Sequence, residues 1–141
     1  MIPLSFAQQR LWFLDQMEGP SATYHIPLAV RLRGALDRTA LRGALSDVLA
    51  RHEVLRTLFP AREGTPYQSI VAEEDVDLAL PVLPVTEDAL GDTLGELAAK
   101  TFDLAHDLPV RGTLLELAPD HHVLLLVVHH IASDGWSNAP L

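Results

Sequence analysis

From Val123 to Val128 the chain runs through six apolar residues without a break, with His121-His122 before the run and His129-His130 after it. It is far too short to span a bilayer, which takes about 20 residues. It is also too continuously apolar to be a strand with one wet face, so His121 to His130 is expected to lie inside a sheet covered on both sides. The rest of the chain must then supply flanking strands and packing helices. At 141 residues and 48% hydrophobic content it is long enough for one domain with a real core and too short for two.

The flanking elements are readable. Ser5 and Gln8 fit a capping box ahead of Phe6, Leu11, Phe13 and Leu14, a short apolar helix that Glu18-Gly19-Pro20-Ser21 ends. His25 to Arg33 alternates Ile26, Leu28, Val30 and Leu32 with more polar neighbours, predicting a half-buried strand closed by Gly34. Asp37 caps a helix to about His52 with Leu41, Leu45, Val48 and Leu49 on one face. Leu55 to Ala61 and Pro66 to Val71 read as two strands around the turn Arg62-Glu63-Gly64-Thr65. Leu78 to Leu83, broken by Pro81 and followed by Pro84, reads as an edge strand. Thr86 caps a helix to about Phe102, with Glu87 and Asp88 favourable in its first turn. Pro109 to Leu117 forms the strand before the central one. The predicted class is α/β (α+β), two-layered: a mixed sheet with helices packed on it.

Charge and composition remove several functions. Ten Lys and Arg against nineteen Asp and Glu give a net charge of −9, which repels nucleic acid and anionic membrane. The absence of Cys excludes disulfides, thiolate metal sites and a Cys nucleophile. Met1-Ile2-Pro3-Leu4-Ser5 lacks the features of a leader peptide, so cytoplasm is the expected location. A metal site is not expected: adjacent His on a strand point to opposite faces, and no carboxylate stands at helical ligand spacing. Ser133 and Ser137 lack a nucleophile elbow, and His25, His52 and His106 read as structural.

The chemistry is expected at His129-His130-Ile131-Ala132-Ser133-Asp134-Gly135. By itself a His-His pair at a strand end reads as core. The whole seven-residue pattern turns the reading toward a reaction centre, because alternation sends one ring into a cavity where an imidazole can relay a proton near neutral pH. Gly135 permits a turn that other residues resist.

Three segments taken together resemble, in order and spacing, the first three core motifs of condensation domains of non-ribosomal peptide synthetases: Ser5 to Leu14, Arg51 to Phe59, and His129 to Gly135. Phe102-Asp103-Leu104 and Leu108-Pro109-Val110-Arg111 are similar to the segment between the second and third. The resemblance implies a two-lobed fold like that of chloramphenicol acetyltransferase, with residues 1–141 forming the N-terminal lobe and the C-terminal lobe and later motifs absent.

It also implies an acyltransferase in which a carrier-bound amine attacks a carrier-bound aminoacyl or peptidyl thioester. His130 is then catalytic, with the Gly135 N–H as a second contact. His129 is structural, and Asp134 forms a structural ion pair with Arg56 or, failing that, Arg10. Trp136 points to an L-donor and L-acceptor subtype. No cofactor is bound directly; the substrates ride on the phosphopantetheine of upstream and downstream peptidyl carrier proteins, beside an adenylation domain. Alternative functions are a stand-alone acyltransferase of the same fold and a non-catalytic recruitment domain. Produced by itself, the piece is expected to be inactive and to self-associate through its uncovered face.

Overall fold

A computed structural model describes residues 1–19 and 21–132. Helix α1 spans Phe6–Glu18, and its capping box forms as expected: the Gln8 N–H donates to Ser5 Oγ at 3.2 Å and the Ser5 N–H to Gln8 Oε1 at 3.0 Å. Strand β1, His25–Arg33, follows, and α2, Arg38–Arg51, is capped by Asp37, which accepts from the Ala40 N–H at 3.0 Å.

The two strands predicted next are shorter than expected. A 3₁₀ turn over Glu53–Arg56 leads into β2, Thr57–Leu58; then come β3, Ala61–Arg62, β4, Thr65–Pro66, and β5, Ser69–Ile70. The turn between β3 and β4 holds Glu63 at φ 53° and Gly64 at φ 80°, the two positive angles of a type I′ hairpin. Pro60 and Pro66 lack the N–H groups that a longer ladder needs, and β2 pairs with β5 instead.

Strand β6, Val82–Pro84, lies at a sheet edge parallel to β7, Val110–Ala118, as its prolines predicted, but it shares only Val82 and Leu83 with the expected Leu78 to Leu83. Helix α3 spans Glu87–Ala99 and stops before the expected Phe102. The Arg111 guanidinium donates to the carbonyls of Leu97, Lys100 and Thr101, meeting acceptors that the helix end leaves open. Phe102 turns into the core, with that guanidinium 4.3 Å over its ring.

The apolar run becomes β8, His121–His129, antiparallel to both β1 and β7 in a mixed sheet of order β1-β8-β7-β6. Alternation along β8 divides the core. Val123, Leu125 and Val127 join Leu11 and Trp12 of α1 and Leu90 of α3 on one face, whereas Val128 joins Leu49 of α2 on the other. Helices therefore meet both faces, as a strand apolar on both sides requires.

The second face is covered only in part. Leu49 is the one fully buried residue of α2, and Ile26, Leu28 and Val30 of β1 are 41%, 54% and 42% exposed. The alternation of β1 gave the strand correctly and its burial incorrectly. Burial needs a partner layer as well as a pattern, and that edge of the second face is left uncovered.

Candidate active site

Backbone alternation fixes the difference between the two adjacent histidines. His129 is the last residue of β8 and is 1% exposed; His130 opens a 3₁₀ turn, His130–Ala132, and is exposed. Ile131 and Ala132 are fully buried and anchor that turn in the two halves of the core. The exposed imidazole thus stands on a rigid base.

His129 is held neutral. Its backbone N–H donates to the Pro109 carbonyl at 2.7 Å, and its Nδ1 accepts from the Ile131 N–H at 3.0 Å, so the neutral ring carries its proton on Nε2. Its ring packs at 5.8 Å against both Phe102 and His25. Burial, with smaller repulsions from His25 and His130, lowers its pKa from the ordinary histidine value to about 4. His25 sits edge-on to Phe102 at 5.0 Å, with its Nδ1–H donating to the Ala98 carbonyl at 2.8 Å. Both rings belong to packing.

His130 lines a cleft of about 340 Å³ together with Ala7, Arg10 and Leu11 of α1 and Tyr24. Ala7, Arg10 and Leu11 stand three and four residues apart, so one face of α1 forms that wall. Tyr24 ends a 3₁₀ turn capped by Ser21, whose Oγ accepts from the Thr23 N–H at 3.2 Å, and its ring packs against the core. Sequence reasoning singled out Arg10 and missed Tyr24, whose segment has no spacing pattern that marks it.

Arg56 lies elsewhere. It is 7% exposed, donates to the Val71 carbonyl at 2.7 Å, and has Glu73 at 3.7 Å. Its Nε is buried with no acceptor among the described residues. Asp134, Gly135 and Trp136 lie outside the described residues.

The other histidine pair does not converge on an ion. Arg31 donates to His121 Nε2 at 3.0 Å, while His122, on the opposite face and 2% exposed, faces Glu116 at 3.1 Å. Among the described residues no group of three or more acidic or histidine side chains is placed to hold a metal. No helix there is long and apolar enough to cross a membrane.

Comparison with known proteins gives the family and the fold. A family model described as the condensation domain matches residues 1–139. The chain is 57% identical over 140 residues to CymA of Salinispora arenicola, named as a nonribosomal peptide synthetase, covering 99% of this chain and 2% of that protein. It is 55% identical over 143 residues to a dimodular nonribosomal peptide synthase of Bacillus subtilis, covering 99% of this chain and 6% of that one. The chain thus spans a small part of the curated relatives it matches.

Among solved structures it resembles the X-domain from teicoplanin biosynthesis at 42% identity and a TM-score of 0.83, over 92% of this chain and 28% of that one. A complex of that X-domain with OxyB is matched at 41% identity and the same TM-score, over 91% of this chain and 28% of that one. With a buried neutral histidine behind an exposed one at the strand end, and the family model matched over nearly its whole length, the chain belongs to the condensation-domain family.

Proposed function

We propose that this chain is the His130-bearing lobe of an amide-forming acyltransferase, in which an acceptor amine on one carrier protein attacks the thioester of a donor held on another. The observation that carries the reading is the contrast at the strand end: His129 is sealed in the core, and its neighbour His130 opens into a cleft. Attack forms the C–N bond and gives a tetrahedral intermediate with a positive nitrogen and a negative oxygen. The nitrogen must lose a proton, and the C–S bond must break.

In this reading His130 accepts that proton and returns it to the departing sulfur, a role typically worth about 10²–10⁴-fold. It also orients the amine, which lowers the barrier by pre-set geometry. The Gly135 N–H would be a second contact. Asp134 would form a structural ion pair, for which the unsatisfied Arg56 Nε offers a buried donor. No cofactor is resident; the acyl groups arrive on the phosphopantetheine of upstream and downstream carriers, beside an adenylation domain in the cytoplasm. Trp136 supports an L-donor and L-acceptor subtype. Residues 1–141 produced alone would be inactive, because among the described residues only α1, Tyr24 and the His130 turn wall the cleft.

The test is amide formation by the intact synthetase with both carriers loaded. His130→Ala should remove most turnover while leaving the melting temperature in place. His129→Ala should lower stability more than chemistry. Full activity of His130→Ala would end the assignment. The X-domain likeness favours a second reading, recruitment of a partner protein without acyl transfer. That reading predicts no amide product from the wild-type protein in the same assay.

A further inference from the structure

The reaction develops negative charge on the thioester oxygen as well as positive charge on nitrogen, and His130 answers only the second. Besides His130, the cleft is lined by two side chains with hydrogen-bond donors, the Arg10 guanidinium and the Tyr24 phenol. Arg31, Arg38, Arg42 and Arg56 each hold a carboxylate, and Arg111 is spent on the carbonyls at the end of α3; of the remaining arginines, Arg10, Arg33, Arg51 and Arg62, Arg10 is the one that lines this cleft. Arg10 is exposed on α1 and has no ion pair or hydrogen bond among the described residues. In a chain of net charge −9, a cation beside the exposed histidine, with no ion pair among the described residues, is poised for a negative group.

We propose that Arg10, with Tyr24 beside it, contacts the thioester carbonyl and takes up the oxyanion of the tetrahedral intermediate, so that α1 is the electrostatic wall of the reaction centre. This rests on the acyl-transfer reading of His130. The wall is preorganised. Leu11, the neighbour of Arg10, is buried against the core that also holds Ile131, so α1 and the His130 turn keep a fixed spacing. Donors held in place act on charge as it forms and need no reorganisation at the moment of reaction. Tyr24 adds a neutral donor on a half-buried ring whose position is set by the capped turn before β1.

The experiment compares Arg10→Met, Arg10→Lys, Tyr24→Phe and His130→Ala in the intact synthetase with both loaded carriers, reading kcat and KM for each carrier and the melting temperature. Arg10→Met should lower kcat by about 10²–10³-fold, the effect of losing an oxyanion donor, with KM for each carrier and melting temperature unchanged. Arg10→Lys should recover part of that loss, and Tyr24→Phe should cost about tenfold, as befits a neutral hydrogen bond.

Three results would overturn the proposal. A raised KM for a carrier with unchanged kcat would make Arg10 a docking contact. A fall in melting temperature that accounts for the lost activity would make it structural. Full activity of both Arg10→Met and Tyr24→Phe, with His130→Ala inactive, would remove the wall and leave the His130 reading standing. Full activity of His130→Ala would remove that reading itself.

Discussion

Protonating His129 should destabilise this domain as the pH falls from neutral toward 4. In the fold its pKa is about 4, because the ring is buried, accepts a backbone N–H on Nδ1, and lies near His25 and His130. In the unfolded chain it returns to about 6.5. A histidine whose folded pKa is depressed adds proton uptake to unfolding. Its neutral form therefore supports the fold fully above about pH 6.5, and that support drains away down to about pH 4.

At about pH 5 the two pKa values differ enough to remove roughly 2 kcal/mol relative to about pH 7.5, at 1.36 kcal/mol per unit. For a chain of this size that lowers Tm by roughly 8 °C. Other groups titrate in the same range, so the comparison is with His129→Asn, whose Oδ1 can still accept from the Ile131 N–H. Urea unfolding of both proteins at about pH 7.5 and about pH 5 isolates the difference. The wild type should lose about 2 kcal/mol more than the variant, and the ring protons of His129 should titrate near pH 4 by NMR. Parallel losses in the two proteins, or a ring that titrates near 6.5, would refute the reasoning.

The open face of β1 should make residues 1–141 associate when produced alone. Covering the exposed half of Ile26, Leu28 and Val30 is worth about 1 kcal/mol each, or about 3 kcal/mol per copy before the cost of association. Light scattering should show a mass above that of the monomer, and Leu28→Lys should lower it; a strict monomer, or no response to the substitution, removes the argument. Arg56→Ala should cost about 2–3 kcal/mol in chemical unfolding, because it strips the Val71 carbonyl of a charged donor in a buried site. Glu73→Gln should cost under about 1 kcal/mol, since that side chain is mostly exposed. Arg56→Ala and Asp134→Ala should be strongly non-additive, as members of one ion pair; simple additivity would assign Asp134 another partner.

Local rules made much of this fold legible. The capping box of Ser5 and Gln8, the Asp37 and Thr86 caps and the doubly apolar β8 all appear where residue chemistry puts them, while the proline-marked strand keeps its edge place but starts only at Val82. What escaped is tertiary. Nothing in His25 to Arg33 tells how far α2 extends across the sheet, so the exposure of Leu28 was invisible. The end of α3 depends on Arg111, which lies beyond the helix in another element, β7.

The site was legible in the same uneven way. Alternation separates His129 from His130, and the fold then buries the first and exposes the second. The family resemblance put Arg56 first and Arg10 second as partners for Asp134. The fold buries Arg56 beside Val71 and Glu73 and brings Arg10 to the His130 cleft. Tyr24 joins them only because the turn before β1 folds back on α1.

The central claim is that His130 serves acyl transfer between two carriers. The most direct measurement is the intact mass of the acceptor carrier after a single turnover in the intact synthetase, with wild-type protein and with His130→Ala. The account predicts that the wild-type acceptor gains the mass of the donor acyl group while the donor carrier loses it, and that the variant leaves both masses unchanged. An acceptor that gains the acyl group equally with His130→Ala, or a wild-type protein that transfers nothing, would contradict it.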